Sequence, residues 1–181
     1  MCRRFTIATL KRAAALALAA GLGACSGFGD REPTLSQPSF YNNLAQAGAV
    51  LDAQAAAAMI SNYRTNNGLE TVALDPTLTR LAQEQAQAMA ARNKMDHDVA
   101  GPFKKRIQAS GFDAKVAAEN ISAGYHTMAE AFSGWRESPH HRKNMLLKGA
   151  TRMGIAAVYA PSTKYRVFWA LILAAPDERR G

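Results

Sequence analysis

The stretch FSGWRESPHHRKNML, residues 132–146, packs a tryptophan, a carboxylate, a serine before a proline and two adjacent histidines into a few positions. The whole chain carries only four histidines, so half of them stand side by side here. Ser138 followed by Pro139 has the form of a helix start, an N-cap residue with proline in the first helical position. On a helix from Pro139, the side chains of His140 and His141 leave the axis about 100° apart, so they cannot share one direction. His141 and Asn144 fall on the same side. That arrangement separates the two rings, with Asn144 placed to support the His141 ring or the helix packing and His140 left in solvent.

The flanks of this stretch determine the fold class. Upstream, Met128, Ala131, Phe132 and Trp135 form one helical stripe, which makes Trp135 a core residue. His126 at the start of that helix reads as surface. Downstream, TRMGIAAVYA and YRVFWALILAA flank the four residues Pro161–Lys164, an antiparallel hairpin signal. The second strand is apolar on both faces and belongs in the middle of a sheet. Nearer the N-terminus, DAQAAAAMISNYRTNNG is an alanine-rich helix ending at Asn66-Asn67-Gly68. Asp75-Pro76 starts another, with Leu78, Leu81, Ala82, Ala86 and Met89 on one face. GPFKKRIQAS gives a third, ended by Gly111, and KVAAENIS a strand. Helices followed by mainly antiparallel strands indicate an α+β domain with helices flanking the sheet.

The first 24 residues read as an address. Arg3, Arg4, Lys11 and Arg12 precede a short apolar run that ends in LGAC, with Cys25 last. This resembles a lipobox, which places lipid on Cys25. The chain divides accordingly: a lipoprotein signal peptide over 1–24, a flexible tether over 25–51, the folded domain over 52–175 and a tail over 176–181. Lys and Arg number 22 against 14 Asp and Glu, and the leader removes four positives and no acids, so the mature net charge is near +4. Such a mild excess suits an anionic wall or membrane and argues against nucleic acid as a partner. Cys2 leaves with the leader and Cys25 carries lipid, so no thiol remains for a disulfide and the domain relies on its core.

ISNYRTNNGL, the lone His97, AENI at 118–121 and GWRESPHHRKNML, in this order, resemble the CAP superfamily of cysteine-rich secretory, venom-antigen and pathogenesis-related proteins. The resemblance spans roughly residues 52–175. It implies an α-β-α sandwich with a surface cleft in which two histidines and two acidic residues face one another and hold a divalent metal, often zinc. Matched residue by residue, His97 is the first histidine, Glu119 the first glutamate and His141 the second histidine. The second glutamate belongs three residues after the tryptophan, where this chain has Ser138. Glu137 sits one residue too early. Serine is a poor zinc ligand, so the four-ligand set lacks its fourth member.

Two neutral imidazoles and one carboxylate form a facial set that leaves a metal with an open position for water. Without metal, Glu119 between the two histidines raises the pKa of both. Ser138 reads as an N-cap, with a cleft hydrogen bond and a serine nucleophile as the alternatives. The nucleophile lacks a glycine-flanked elbow to supply an oxyanion hole. Three functions follow. The first is an exported lipoprotein that binds an envelope lipid, glycan or peptide in the cleft formed by His97, Glu119, Ser138, His141 and Asn144, with or without Zn2+ or another divalent cation. The second is a zinc-assisted hydrolase or peptidase with Glu119 as ligand or base. The third is a structural envelope protein with a vestigial cleft. Ser26 after the lipidated cysteine favours the periplasmic face of the outer membrane in a Gram-negative cell.

Overall fold

The computed structural model describes residues 36–177. The leader, Cys25, Ser26 and the first part of the expected tether lie outside the described residues, as do the last four positions. Helix α1 spans Ala53–Thr65, strand β1 Ala73–Leu74 and helix α2 Pro76–Arg92. Helix α3 covers Phe103–Ala109, strand β2 Ala114–Ala123, and helices α4 and α5 Met128–Glu137 and Pro139–Met145. Strands β3, Arg152–Ala160, and β4, Arg166–Pro176, complete the order.

The helix starts follow local chemistry. Asp52 caps α1 by accepting from the Ala55 N–H at 2.9 Å, and Asp75 caps α2 by accepting from Leu78 N–H at 3.0 Å, ahead of Pro76. Helix α4 begins with a capping box in which Thr127 is the cap and Glu130 reaches back to its N–H. His126 therefore precedes the helix rather than beginning it. Its N–H donates to Glu130 Oε2 at 2.6 Å, and it is half-buried.

The sheet order is β1-β3-β4-β2, with β1 parallel to β3 and the other pairs antiparallel. The strand expected at the centre is there: Val167 to Ala175 of β4 are all buried. Its alternation splits the core into two layers. Val167, Trp169, Leu171 and Leu173 face α1, α4 and α5, while Phe168, Ala170, Ile172 and Ala174 face α2 and α3. This is an α-β-α sandwich of the α+β class. On the first side Trp135 stands edge-on to Trp169, ring centroids 6.4 Å apart, and the Trp169 Nε1–H donates to Tyr125 O at 2.9 Å. On the other side α2 lies against Gly154, where an added Cβ would fall 2.1 Å from the Leu78 carbonyl carbon. The β3–β4 loop has five residues rather than four: Ala160 pairs with Arg166, leaving Pro161–Tyr165 between them. Arg166 itself takes φ 65°, closing the turn one position later than the composition suggests.

Residues 36–51, read from composition as tether, lie on the domain. Leu44 and Ala45 are buried in the first core layer. The Leu44 N–H donates to His126 O at 2.7 Å, and Arg166 Nη2 to Ala45 O at 3.0 Å. The stretch mixes scattered apolar residues with serine, glutamine and asparagine, so no apolar period signals these two anchors.

Arg64 holds the first layer together. Its side chain is fully buried. Nε donates to Glu70 O at 2.9 Å, Nη1 to Met145 O at 2.8 Å and Leu147 O at 3.0 Å, and Nη2 to Ala150 O at 2.7 Å. One guanidinium thus joins α1 to the end of α5 and the loop entering β3. Burial lowers its pKa, and the Glu70 charge opposes that shift. Arg64→Met leaves these carbonyls without a donor and is expected to cost at least about 3 kcal/mol of unfolding free energy. Urea denaturation checks this as a lower midpoint at unchanged slope.

Candidate functional site

Two consecutive residues of β2 build the site. Strand alternation sends Glu119 to the α2–α3 side, with Ile121, and Asn120 to the α5 side. Glu119 is buried, its side chain only 1% exposed, and both carboxylate oxygens are engaged. Oε2 accepts from Arg106 Nη2 at 2.7 Å, and Oε1 accepts from His97 Nδ1 at 2.8 Å. An ionised carboxylate only accepts, so this contact fixes the His97 proton on Nδ1.

His97 sits in the segment after α2, and that segment is held from below. Gln85 Nε2 donates to Asp96 O at 2.8 Å, Arg106 Nε to Gly101 O at 2.9 Å and Arg106 Nη2 to His97 O at 3.3 Å. Arg106, 8% exposed, therefore grips both the backbone that carries His97 and the carboxylate that orients its ring. Its guanidinium carbon also lies 5.2 Å from the Phe103 ring centroid. Removing Arg106 strands a buried carboxylate, a loss of about 3–5 kcal/mol.

On the other side of β2, Asn120 Nδ2 donates to His141 O at 2.9 Å. Asn144 Nδ2 donates to Asn120 Oδ1 at 2.9 Å and to Glu119 O at 3.1 Å. These bonds clamp α5 against the strand. Asn144 thus serves the helix packing, the second of the two roles its spacing allowed. His141 is half-buried and His140 exposed. Ser138 occupies the N-cap position of α5, but its hydroxyl makes no capping bond; its carbonyl accepts from Arg142 N–H at 2.8 Å. Trp135, fully buried against Trp169, belongs to the core.

The two histidines titrate apart. The hydrogen bond to Glu119 raises the pKa of His97 above the ordinary 6.5, with burial opposing it. Burial lowers the pKa of His141, and the nearby charges of His97 and His140 lower it further. The expectation that Glu119 raises both fails for His141, because burial and the two neighbouring histidines lower it while Glu119 turns its oxygens to His97 and Arg106. His97 and His141 nevertheless lie close enough to feel each other's charge.

Both Glu119 oxygens already carry a hydrogen-bond partner, and the His97 nitrogen left for a metal or a polar ligand is Nε2. Among the described residues, no three His, Cys, Asp or Glu side chains group so as to hold a metal ion. Sequence reasoning missed Arg106 and the role of Asn120. Arg106 hides in the run Lys104-Lys105-Arg106, which reads as a solvated face. Its position three residues after Phe103 and beside buried Ile107 is the signal that sets it apart.

The sequence pattern described as "CAP: Cysteine-rich secretory protein family" matches residues 57–173. The chain belongs to the CAP family. The protein YkwD of Bacillus subtilis is 33% identical over 102 residues, covering 55% of this chain and 39% of that protein. An extracellular protein containing an SCP domain from Bacillus anthracis superposes with a TM-score of 0.59 at 25% identity, covering 67% of this CAP chain and 39% of that one. The chain thus spans well under half the length of these two Bacillus relatives. An outer surface protein of Borrelia burgdorferi shares the fold with a TM-score of 0.63 at 16% identity, over 70% of this chain and 93% of that one.

The opposed shifts give a titration prediction. By NMR, the His97 ring is expected to titrate above 6.5 and the His141 ring below it, and Glu119→Gln to bring His97 back down. A raised folded-state pKa adds stability that is complete below the unfolded value. The His97–Glu119 contribution is therefore full in acid, below about pH 6.5, and fades as pH rises through the raised midpoint.

Proposed function

We propose that this CAP protein is exported and lipid-anchored through Cys25, and that its His97–Glu119–His141 cleft binds an oxygen-rich envelope ligand, a glycan or a peptide, rather than hydrolysing it. The observation that carries this reading is the engagement of Glu119. A general base must reach a water or a substrate proton, and here both oxygens are buried and occupied by Arg106 and His97. What remains open is the half-exposed His97 ring with its Nε2, beside His141. Those nitrogens suit the hydroxyl and carboxylate oxygens of a polar ligand. Two of the solved relatives are described as an extracellular protein and an outer surface protein, which supports an exported setting. No helix among the described residues is long and apolar enough to cross a membrane.

A lipid ligand has a better place elsewhere. A groove of about 510 Å3 between α1 and α4 is walled by Phe40, Met59, Tyr63 and Phe132, with Arg136 at the rim. Apolar walls with one cationic group match an acyl chain with an anionic head.

Isothermal titration with peptidoglycan fragments and with peptides tests the cleft. Binding is expected to weaken at least about tenfold in His97→Ala and His141→Ala, with no hydrolysis product from the wild type. Hydrolysis abolished by Glu119→Gln overturns the binding reading. For the anchor, Cys25→Ser is expected to lose palmitate labelling and to leave the membrane fraction.

A further inference from the structure

The cleft already contains a cation. Arg106 Nη2 lies 2.7 Å from Glu119 Oε2, in a pair whose side chains are 7% and 1% exposed. The second oxygen faces His97 Nδ1 at 2.8 Å. A zinc ion bound by a carboxylate sits at about 2.0–2.2 Å, so on Oε2 it would lie beside a buried guanidinium whose charge already neutralises the carboxylate. On Oε1 it would crowd the hydrogen bond that orients the first imidazole. The guanidinium cannot withdraw from such an ion, because Arg106 is also tied to Gly101 O and His97 O.

We infer that Arg106 is the resident cation of this site: its guanidinium holds the carboxylate that a divalent metal requires, and so reserves the cleft for ligand binding without metal. In this role Arg106 is a specificity-determining residue, selecting against metal ions through Glu119. The inference deepens the binding reading, yet it is tested by metal titration alone, whereas that reading is tested by glycan and peptide titration; either can fail without the other.

The full chain is titrated with Zn2+ and with Co2+, the latter followed by its visible absorption. Wild type is expected to bind neither ion at the cleft. Arg106→Met frees Glu119 Oε2, and Zn2+ affinity is expected to rise by about tenfold or more. Adding Glu119→Gln to that variant removes the gain. Stoichiometric binding of either ion by the wild type that His97→Ala abolishes overturns the inference, as does a folded Arg106→Met protein with no gain in Zn2+ affinity. Should Arg106→Met fail to fold by circular dichroism, the wild-type and His97→Ala titrations decide alone.

Discussion

A carboxylate buried to 1% exposure is costly unless both of its oxygens are satisfied. Glu119 meets that condition by drawing a guanidinium from α3 and an imidazole from the segment after α2 onto one strand position. The geometry of the cleft follows from this requirement. The His97 ring cannot swing freely while Nδ1 is held, and the 97–101 segment cannot lift while Arg106 grips two of its carbonyls. Asn120 applies the same logic to the opposite side, taking the His141 carbonyl and accepting from Asn144. Successive strand residues point to opposite faces, so one dipeptide organises both walls.

The strand pair behind the site is rigid for a different reason. β4 is covered on both faces and flanked on both edges, and its small residues on one side let α2 approach closely. Ala156, Ala170 and Ala174 oppose Ala82, Ala86 and Ala90 in that layer. The other layer is filled by bulk, with the two tryptophans at right angles. β2 pairs with β4 from Ala114 to Ala123, so the dipeptide that builds the cleft is hydrogen-bonded directly to the best-covered strand in the domain.

Much of the fold was legible because its signals are local. Asp75-Pro76, the stripe from Leu78 to Met89 and the doubly apolar run of β4 each state their environment within a few residues. The site was legible in part. His97, Glu119 and His141 were found through their resemblance to a family pattern, and the order of the two histidines on α5 followed from helix geometry. What stayed hidden depends on long-range pairing. Arg106 and Glu119 stand thirteen positions apart, and nothing local distinguishes a cation that will be buried from the two lysines before it. Leu44 and Ala45 lacked a period because the strap that carries them is not a regular element. The pKa of His141 is lowered first by its burial and then by the charges of His97 and His140, and no spacing rule contains that.

The strap over residues 36–51 has a mechanical meaning. A pull on the strap is received at Ser39, whose hydroxyl donates to Asp52 Oδ2, and at Leu44 and Ala45, where a hydrogen bond to His126 O and another from Arg166 hold the chain. Arg166 opens the central strand, His126 stands just ahead of α4 and Asp52 caps α1, so the load spreads over three elements of the first layer. The opposite wall, which carries His97, lies off that path. A domain pulled at Ser36 can therefore keep the surroundings of His97 undisturbed.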